Sequence, residues 1–112
     1  SKMVLNRKKL INLFVGNISN AVLHKILEEA IKDEIIRKYY DKEFLNSFQI
    51  AKKYRERINP KDRKIPESSE IKESIIKKVN NELKIRISKG YKNIDSNLVE
   101  PITNDILSEL RV

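Results

Sequence analysis

The chain has 112 residues, a formal net charge of +8 at pH 7, no cysteine, two glycines and three prolines. This length suits one domain with one core, and the lack of cysteine excludes a disulfide framework and a thiolate zinc site. The scarcity of glycine and proline favours helices joined by short connections. No run of about 20 apolar residues and no secretory leader is visible, so we expect a cytoplasmic protein that does not enter a membrane.

The first predicted element is a helix that ends at a glycine. In the stretch VLNRKKLINLF, residues 4–14, apolar side chains recur at helical spacing, and Gly16 with Asn17 interrupts the pattern. Residues 10–27 therefore have the outline of a helix-turn-helix, a unit that places its second helix in the major groove of DNA. Two consecutive core helices joined by a glycine turn produce the same pattern.

A second helix is predicted from Ala21 to Tyr40, because apolar residues recur along it every four positions. Two adjacent rows are expected to be buried: Val22, Ile26 and Ala30, and beside them Leu23, Leu27, Ile31, Ile35 and Tyr39. Asp41 is a suitable N-cap for a third helix, since its carboxylate can accept the free N–H groups of a first turn. That helix should end before Pro60, which disfavours helical geometry in the preceding residue.

The last two predicted helices have clear limits. Ser68 or Ser69 is the expected cap of the fourth helix, and Gly90 is its expected end, because glycine readily adopts the left-handed conformation that closes a helix. The expected buried row of this helix is Ile71, Ile75, Val79, Leu83 and Ile87. Pro101 fits only the first turn of a helix, so the fifth starts within a few residues of Glu100.

These elements predict an all-α, compact, four- to five-helix bundle-like domain spanning residues 1–112. A basic loop around residues 59–66 is expected between its two helical halves, because this segment lies between two prolines.

Residues typical of catalysis or metal binding are sparse. The single histidine, His24, lies near Glu28 and Glu29, but a di-iron bundle needs paired Glu-x-x-His motifs and so a second histidine. Acidic residues at positions 28–34 and 67–73 are a candidate Mg²⁺ site of a nucleotide-hydrolysing enzyme, but ion pairs within the helices and the helix dipole explain them as well. Since no nucleophile elbow or phosphate loop is present, we expect no enzyme, no cofactor and no bound metal.

The strongest functional signal is the basic stretch AKKYRERINPKDRK, residues 51–64. Between residues 52 and 64 it has seven basic side chains against two acidic ones. Guanidinium groups bind phosphates through two parallel hydrogen bonds, and an exposed tyrosine can stack on a base. The predicted nucleic-acid contacts are Lys52, Lys53, Tyr54, Arg55, Arg57, Lys61, Arg63 and Lys64.

Basic residues at a helix C-terminus also stabilise its free carbonyl groups without any partner. The expected function is therefore that of a non-catalytic accessory component that contacts DNA or RNA through this central basic segment. The alternative is a helical module that binds a protein partner or a second copy of itself. Positive charge is also concentrated at the start of the chain, where residues 1–16 carry four basic side chains and no acidic one.

Overall fold

The structure is a computed structural model that describes residues 6–60 and 63–112. It confirms an all-α fold, with four α-helices and one short 3₁₀ turn in the part of the chain described. Helix α1 spans Arg7–Ala30, α2 spans Glu34–Ile58, α3 spans Ser68–Ser88 and α4 spans Val99–Glu109. The 3₁₀ turn, Ser96–Leu98, leads directly into α4.

Helix α1 joins what the sequence pattern separated into two helices. Asn6 caps it by accepting a hydrogen bond from the Lys9 N–H at 2.8 Å, and the helix then passes through Gly16 and Asn17 without a turn. The predicted break at Gly16 was wrong, and so was the helix-turn-helix outline that depended on it. A single glycine costs a helix only about 1 kcal/mol, which the extensive burial of α1 offsets.

Helix α1 is also long and apolar enough to cross a membrane by length and composition, a test that the core helix of a globular domain passes too. Our expectation of no such stretch was therefore too strict. Ten of its residues are buried, more than in any other described helix, so α1 is the central element of the packing.

The second predicted helix is interrupted at residues 31–33, where α1 ends and α2 begins. Asp33 caps α2, since its carboxylate accepts hydrogen bonds from the N–H groups of Ile35 and Ile36 at 2.9 and 3.1 Å. The predicted cap, Asp41, lies inside α2. The predicted end before Pro60 was correct, because α2 ends at Ile58.

The limits of α3 and α4 agree closely with those predicted. Gly90 follows α3 with a φ of +98°, the left-handed conformation expected at a helix end. Pro101 lies in the first turn of α4. At the start of α3 the prediction was wrong, because Glu67 holds the N-cap position and no side-chain hydrogen bond caps the helix.

Contacts along α1 define the arrangement of the bundle. Arg7 contacts the last residue of α2, Ile58, whereas the His24 ring lies 5.8 Å from the Tyr40 ring near the start of α2. The two helices are therefore antiparallel. Residues 7–15 of α1 line one hollow with residues 67–78, at the start of α3. Residues 12–20 line the next with residues 78–82, so α1 and α3 run in the same direction.

The core lies around α1, and the predicted apolar rows are buried only in part. Ile71, Ile75, Val79 and Leu83 of α3 are buried as expected, but Ile87 is exposed. Ile35 and Tyr39, expected to be buried, are also exposed. Both belong to α2 rather than to α1, and the change of helix at residues 31–33 turns them away from the core.

Candidate nucleic-acid interface

The fold brings the start of α1 next to the end of α2. Arg7 holds this contact by donating from Nη1 to the carbonyl oxygen of Ile58 at 2.9 Å. Its Nε and Nη2 donate to the two carboxylate oxygens of Glu67, the residue before α3, at 2.7 and 2.8 Å. The chain's two positively charged segments, near residue 8 and near residue 57, therefore lie at the same end of the molecule.

We call this region the basic end. It comprises exposed basic residues in the first turn of α1, in the last two turns of α2 and in the connection that follows α2. These residues are Lys8, Lys9, Lys52, Lys53, Arg57, Arg63 and Lys64. The molecule is 42 Å long and 27 by 25 Å across, so the basic end occupies one pole of an elongated domain.

Acidic side chains also occur here, and their positions limit where an anion can bind. The Arg7 guanidinium, by its hydrogen bonds, holds the pKa of the Glu67 carboxyl below its ordinary value, so Glu67 stays ionised beside Arg7. Glu56 and Glu109 line a hollow of about 290 Å³ together with Lys52 and Arg111. An anion is therefore expected on the outer surface of the basic end and not in this mixed-charge hollow.

Arg55, one of the predicted nucleic-acid contacts, has only 4% of its surface exposed. Its guanidinium donates to four carbonyl oxygens at 2.8 to 3.1 Å, those of Asn59, Arg63, Leu110 and Arg111. Burial lowers its pKa from the ordinary arginine value, and the nearby Arg111 charge lowers it further. The structure therefore makes Arg55 an internal support, and this prediction for Arg55 needs correction.

The other predicted contacts divide into three groups. Lys52, Lys53, Arg57, Arg63 and Lys64 are exposed and belong to the basic end. Tyr54 is half-buried against the core, which limits any stacking on a base. Lys61 lies outside the described residues.

Lys8 and Lys9 were not among the predicted contacts. The signal that could have identified them was the positive charge of residues 1–16, which is independent of the central basic run. Sequence alone did not relate these two segments, because the contact between Arg7 and Ile58 joins residues that are 51 positions apart.

The acidic clusters and His24 form no comparable site. His24 Nδ1 lies 2.7 Å from the carbonyl oxygen of Asn20, one turn earlier in α1. Lys25 lies 3.7 Å from a carboxylate oxygen of Glu28. Within the described residues, no group of three or more His, Asp or Glu side chains is close enough to hold a metal ion.

At the opposite pole, aromatic side chains gather around the start of α2. The Tyr39 and Tyr40 rings are 5.8 Å apart, and Tyr40 is half-buried near Tyr91 and Arg86. Burial raises the pKa of the Tyr40 hydroxyl, and the neighbouring Tyr91 and Tyr39 raise it further, while Arg86 acts in the opposite direction. This pole therefore combines exposed aromatic side chains with exposed lysines such as Lys38.

The site is thus a cluster of exposed cations held by one arginine–carboxylate pair and one buried arginine. Its geometry provides separate exposed positive charges at one end of the molecule, an arrangement suited to phosphate groups along a backbone. Comparison of the chain with protein-family models, curated proteins and solved structures finds no match.

Proposed function

We propose that this protein binds nucleic acid through the basic end, as a non-catalytic accessory component inside the cell. The supporting observation is that two separate positive segments of the sequence meet at one pole, joined by the Arg7 contact with Ile58 at 2.9 Å. Neither segment alone is more than an ordinary charged helix end. Together they offer seven exposed cations.

The expected ligand chemistry is the phosphate backbone. Lysine and arginine side chains that neutralise phosphates release bound counterions, and this release drives association with little dependence on base sequence. Because the contacts are expected on the outer surface, DNA and RNA share the chemistry, and binding to both is the expected outcome. The net charge of +8 adds long-range attraction to any polyanion, so the experiment must separate the basic end from total charge.

The test compares two variants of equal net charge. One replaces Arg57, Arg63 and Lys64 with Ala, all at the basic end, and the control replaces Lys84, Lys89 and Lys92, near the end of α3 and the following loop. All six side chains are exposed. Affinity for a short duplex is measured as a function of salt.

The basic-end variant should reduce the slope of log affinity against log salt by roughly two to three units, since each lost phosphate contact removes slightly less than one unit. The control should retain most of the slope. Equal losses in the two variants would show that only bulk charge matters, and an absence of binding at about 0.15 M salt would refute the proposal.

A second candidate function is binding to a protein partner or to a second copy. It is supported by the outward side of α2, where Ile35 is 81% exposed and Tyr39 is 57% exposed. None of the residues from Glu34 to Asn46 is fully buried. The first half of α2 therefore packs against the rest of the domain along one side at most. An exposed apolar surface of this kind is typical of interaction sites.

Light scattering after size-exclusion chromatography over a wide range of protein concentration tests self-association on this surface. If it occurs there, the wild-type mass should rise with concentration, and the combined change Ile35→Glu and Tyr39→Glu should keep the protein monomeric. Because both side chains are exposed, these changes should have little effect on stability. A monomer at all concentrations excludes a second copy and leaves a different protein as the partner.

A further inference from the structure

Arg55 joins parts of the chain that are far apart in sequence. Its Nη1 donates to the carbonyl oxygen of Asn59 at 3.0 Å and its Nη2 to that of Arg63 at 3.1 Å, both in the connection after α2. Its Nε donates to the carbonyl of Leu110 at 2.8 Å and its Nη2 also to that of Arg111 at 3.0 Å, just after α4. One guanidinium therefore supports two segments about 50 residues apart.

This arrangement has a clear physical basis. The last carbonyl groups of a helix have no partner within the helix, and they carry the negative end of its dipole. A guanidinium suits them because it has five N–H donors in a fixed plane and no acceptor. Arg55 satisfies such groups near the ends of both α2 and α4 from one buried position.

As a consequence, the end of α4 and the connection after α2 depend on each other through Arg55. If the end of α4 leaves its position, Arg55 loses two of its four acceptors and becomes open to water. The remaining bonds to Asn59 and Arg63 then compete with water and weaken. Loss of the connection would weaken the bonds to the end of α4 by the same reasoning.

We propose that Arg55 couples the position of residues 110–112 to the positions of Asn59 and Arg63 in the connection after α2. This connection carries Arg63 and Lys64 of the basic end, so a partner that displaces residues 110–112 would also loosen these two cations. That last consequence rests on the proposed function, whereas the coupling itself does not.

Amide hydrogen exchange measures the coupling directly, because each segment contains a reporter. The Arg63 N–H donates to the carbonyl of Pro60, and the Val112 N–H donates to that of Leu107, both at 2.9 Å. Amides of the core of α1, such as that of Ile26, report global unfolding and serve as the internal reference. Arg55→Met is the test variant, and Arg57→Met is the matched control because it removes the same charge from an exposed position of the same helix.

We expect Arg55→Met to accelerate exchange at both reporters, relative to the reference, by about tenfold or more, the factor typical of losing one charge-assisted hydrogen bond. Arg57→Met should leave both unchanged. Acceleration at only one reporter, at neither, or equally in both variants would overturn the proposal. If Arg55→Met does not fold, Arg55→Lys takes its place, since an ammonium retains the charge but cannot reach four separate carbonyls.

A substitution in the C-terminal segment tests the coupling in the opposite direction. Leu110→Ala removes a buried side chain from the C-terminal segment without substituting any residue of the connection after α2. It should accelerate exchange at Arg63, and adding it to Arg55→Met should have no further effect there, because the link is already broken. An unchanged Arg63 amide in Leu110→Ala would show that the two segments are independent.

Nucleic-acid binding provides a separate readout. Because Arg55 is buried, Arg55→Met should weaken binding to a duplex about threefold or more without changing its salt slope, whereas Arg57→Met should lower the slope by about one unit. Coupled exchange without nucleic-acid binding would retain the link and refute the proposed function. Nucleic-acid binding without coupled exchange would retain the function and refute the link.

Discussion

Single residues inside this fold meet different electrostatic requirements. Arg55 is buried and uses its donors on four carbonyl oxygens, so its charge is well supported. Thr103 is equally inaccessible, with 0% exposure, but its hydroxyl has no hydrogen-bond partner within the described part of the chain. A buried polar group without a partner costs about 1 to 3 kcal/mol, so Thr103 is a local weakness of the core.

Thr103→Val should therefore stabilise the protein by about 1 kcal/mol, because it retains the branched shape and replaces the hydroxyl with a methyl group. The measurement is the free energy of unfolding in urea. Thr103→Ser is the control, since it retains the hydroxyl and loses the methyl, and it should destabilise the protein. A lower stability for Thr103→Val would indicate that the hydroxyl has a partner, such as a buried water.

The pair between Arg7 and Glu67 predicts a dependence of stability on pH. Hydrogen bonding from Arg7 lowers the pKa of the Glu67 carboxyl in the folded state below its unfolded value. A lowered folded pKa contributes stability that is present above the unfolded pKa and is lost as the pH falls through the folded one. The stabilisation should thus be complete at neutral pH and disappear in acid.

Glu67→Gln tests this dependence, because it removes the charge and nearly retains the size. Wild type should have the higher melting temperature at about pH 6, and the difference from Glu67→Gln should be smaller at about pH 3, as the pH falls towards the lowered folded pKa. High salt should also reduce the difference at pH 6, since both side chains are partly accessible to ions. A difference that is the same at both pH values would contradict the assignment.

At the scale of helices, the sequence predicted those limits that local stereochemistry controls. Pro60, Gly90 and Pro101 each restrict the backbone directly, and each limits a helix where expected. The interruption at residues 31–33 was missed because it contains no glycine or proline and continues the apolar pattern. Tertiary packing decides it, because α2 folds back against α1, and most helical stability in proteins comes from such packing.

Gly16 is the opposite case. Glycine is typical of helix breaks, but Gly16 lies within an intact helix. A Cβ added at Gly16 would meet no atom within 4 Å. Gly16→Ala should therefore increase the free energy of unfolding by about 0.5 to 1 kcal/mol, because alanine has the higher helix propensity and no clash opposes it.

Gly90→Ala is the matched comparison. Its Cβ would also meet nothing within 4 Å, but the φ of +98° is unfavourable for any residue with a side chain. This change should lower the free energy of unfolding by about 1 kcal/mol. Equal effects of the two substitutions would show that space, and not backbone conformation, controls glycine in this fold.

At the scale of the whole molecule, the basic end and the exposed apolar side chains at the start of α2 lie at opposite poles. The basic end lies where α1 begins and α2 ends, and exposed Ile35 and Tyr39 lie where α2 begins. The central basic run could be predicted from sequence because it is continuous. Its extension by the start of α1 could not, because a long-range contact creates it.

The start of α1 should therefore contribute to phosphate binding. If Lys8 and Lys9 belong to the same surface as Arg57 and Arg63, replacing Lys8 and Lys9 with Ala should lower the salt slope of duplex binding by roughly two units. Lys84 and Lys92, two exposed lysines near the end of α3 and in the loop that follows it, provide a control of equal charge.

The decisive measurement combines the changes. Removing Lys8 and Lys9 together with Arg57 and Arg63 should lower the slope by roughly four units, the sum of two pairs acting on one continuous phosphate backbone. The pair Lys8 and Lys9 and the pair Arg57 and Arg63 are expected to bind different phosphates, so their effects on the slope should add. An effect of bulk charge alone would be equally large when Lys84 and Lys92 are replaced instead of Lys8 and Lys9. A full slope after loss of Lys8 and Lys9 would restrict the interface to the end of α2, and the meeting of the two segments would then have only a structural role.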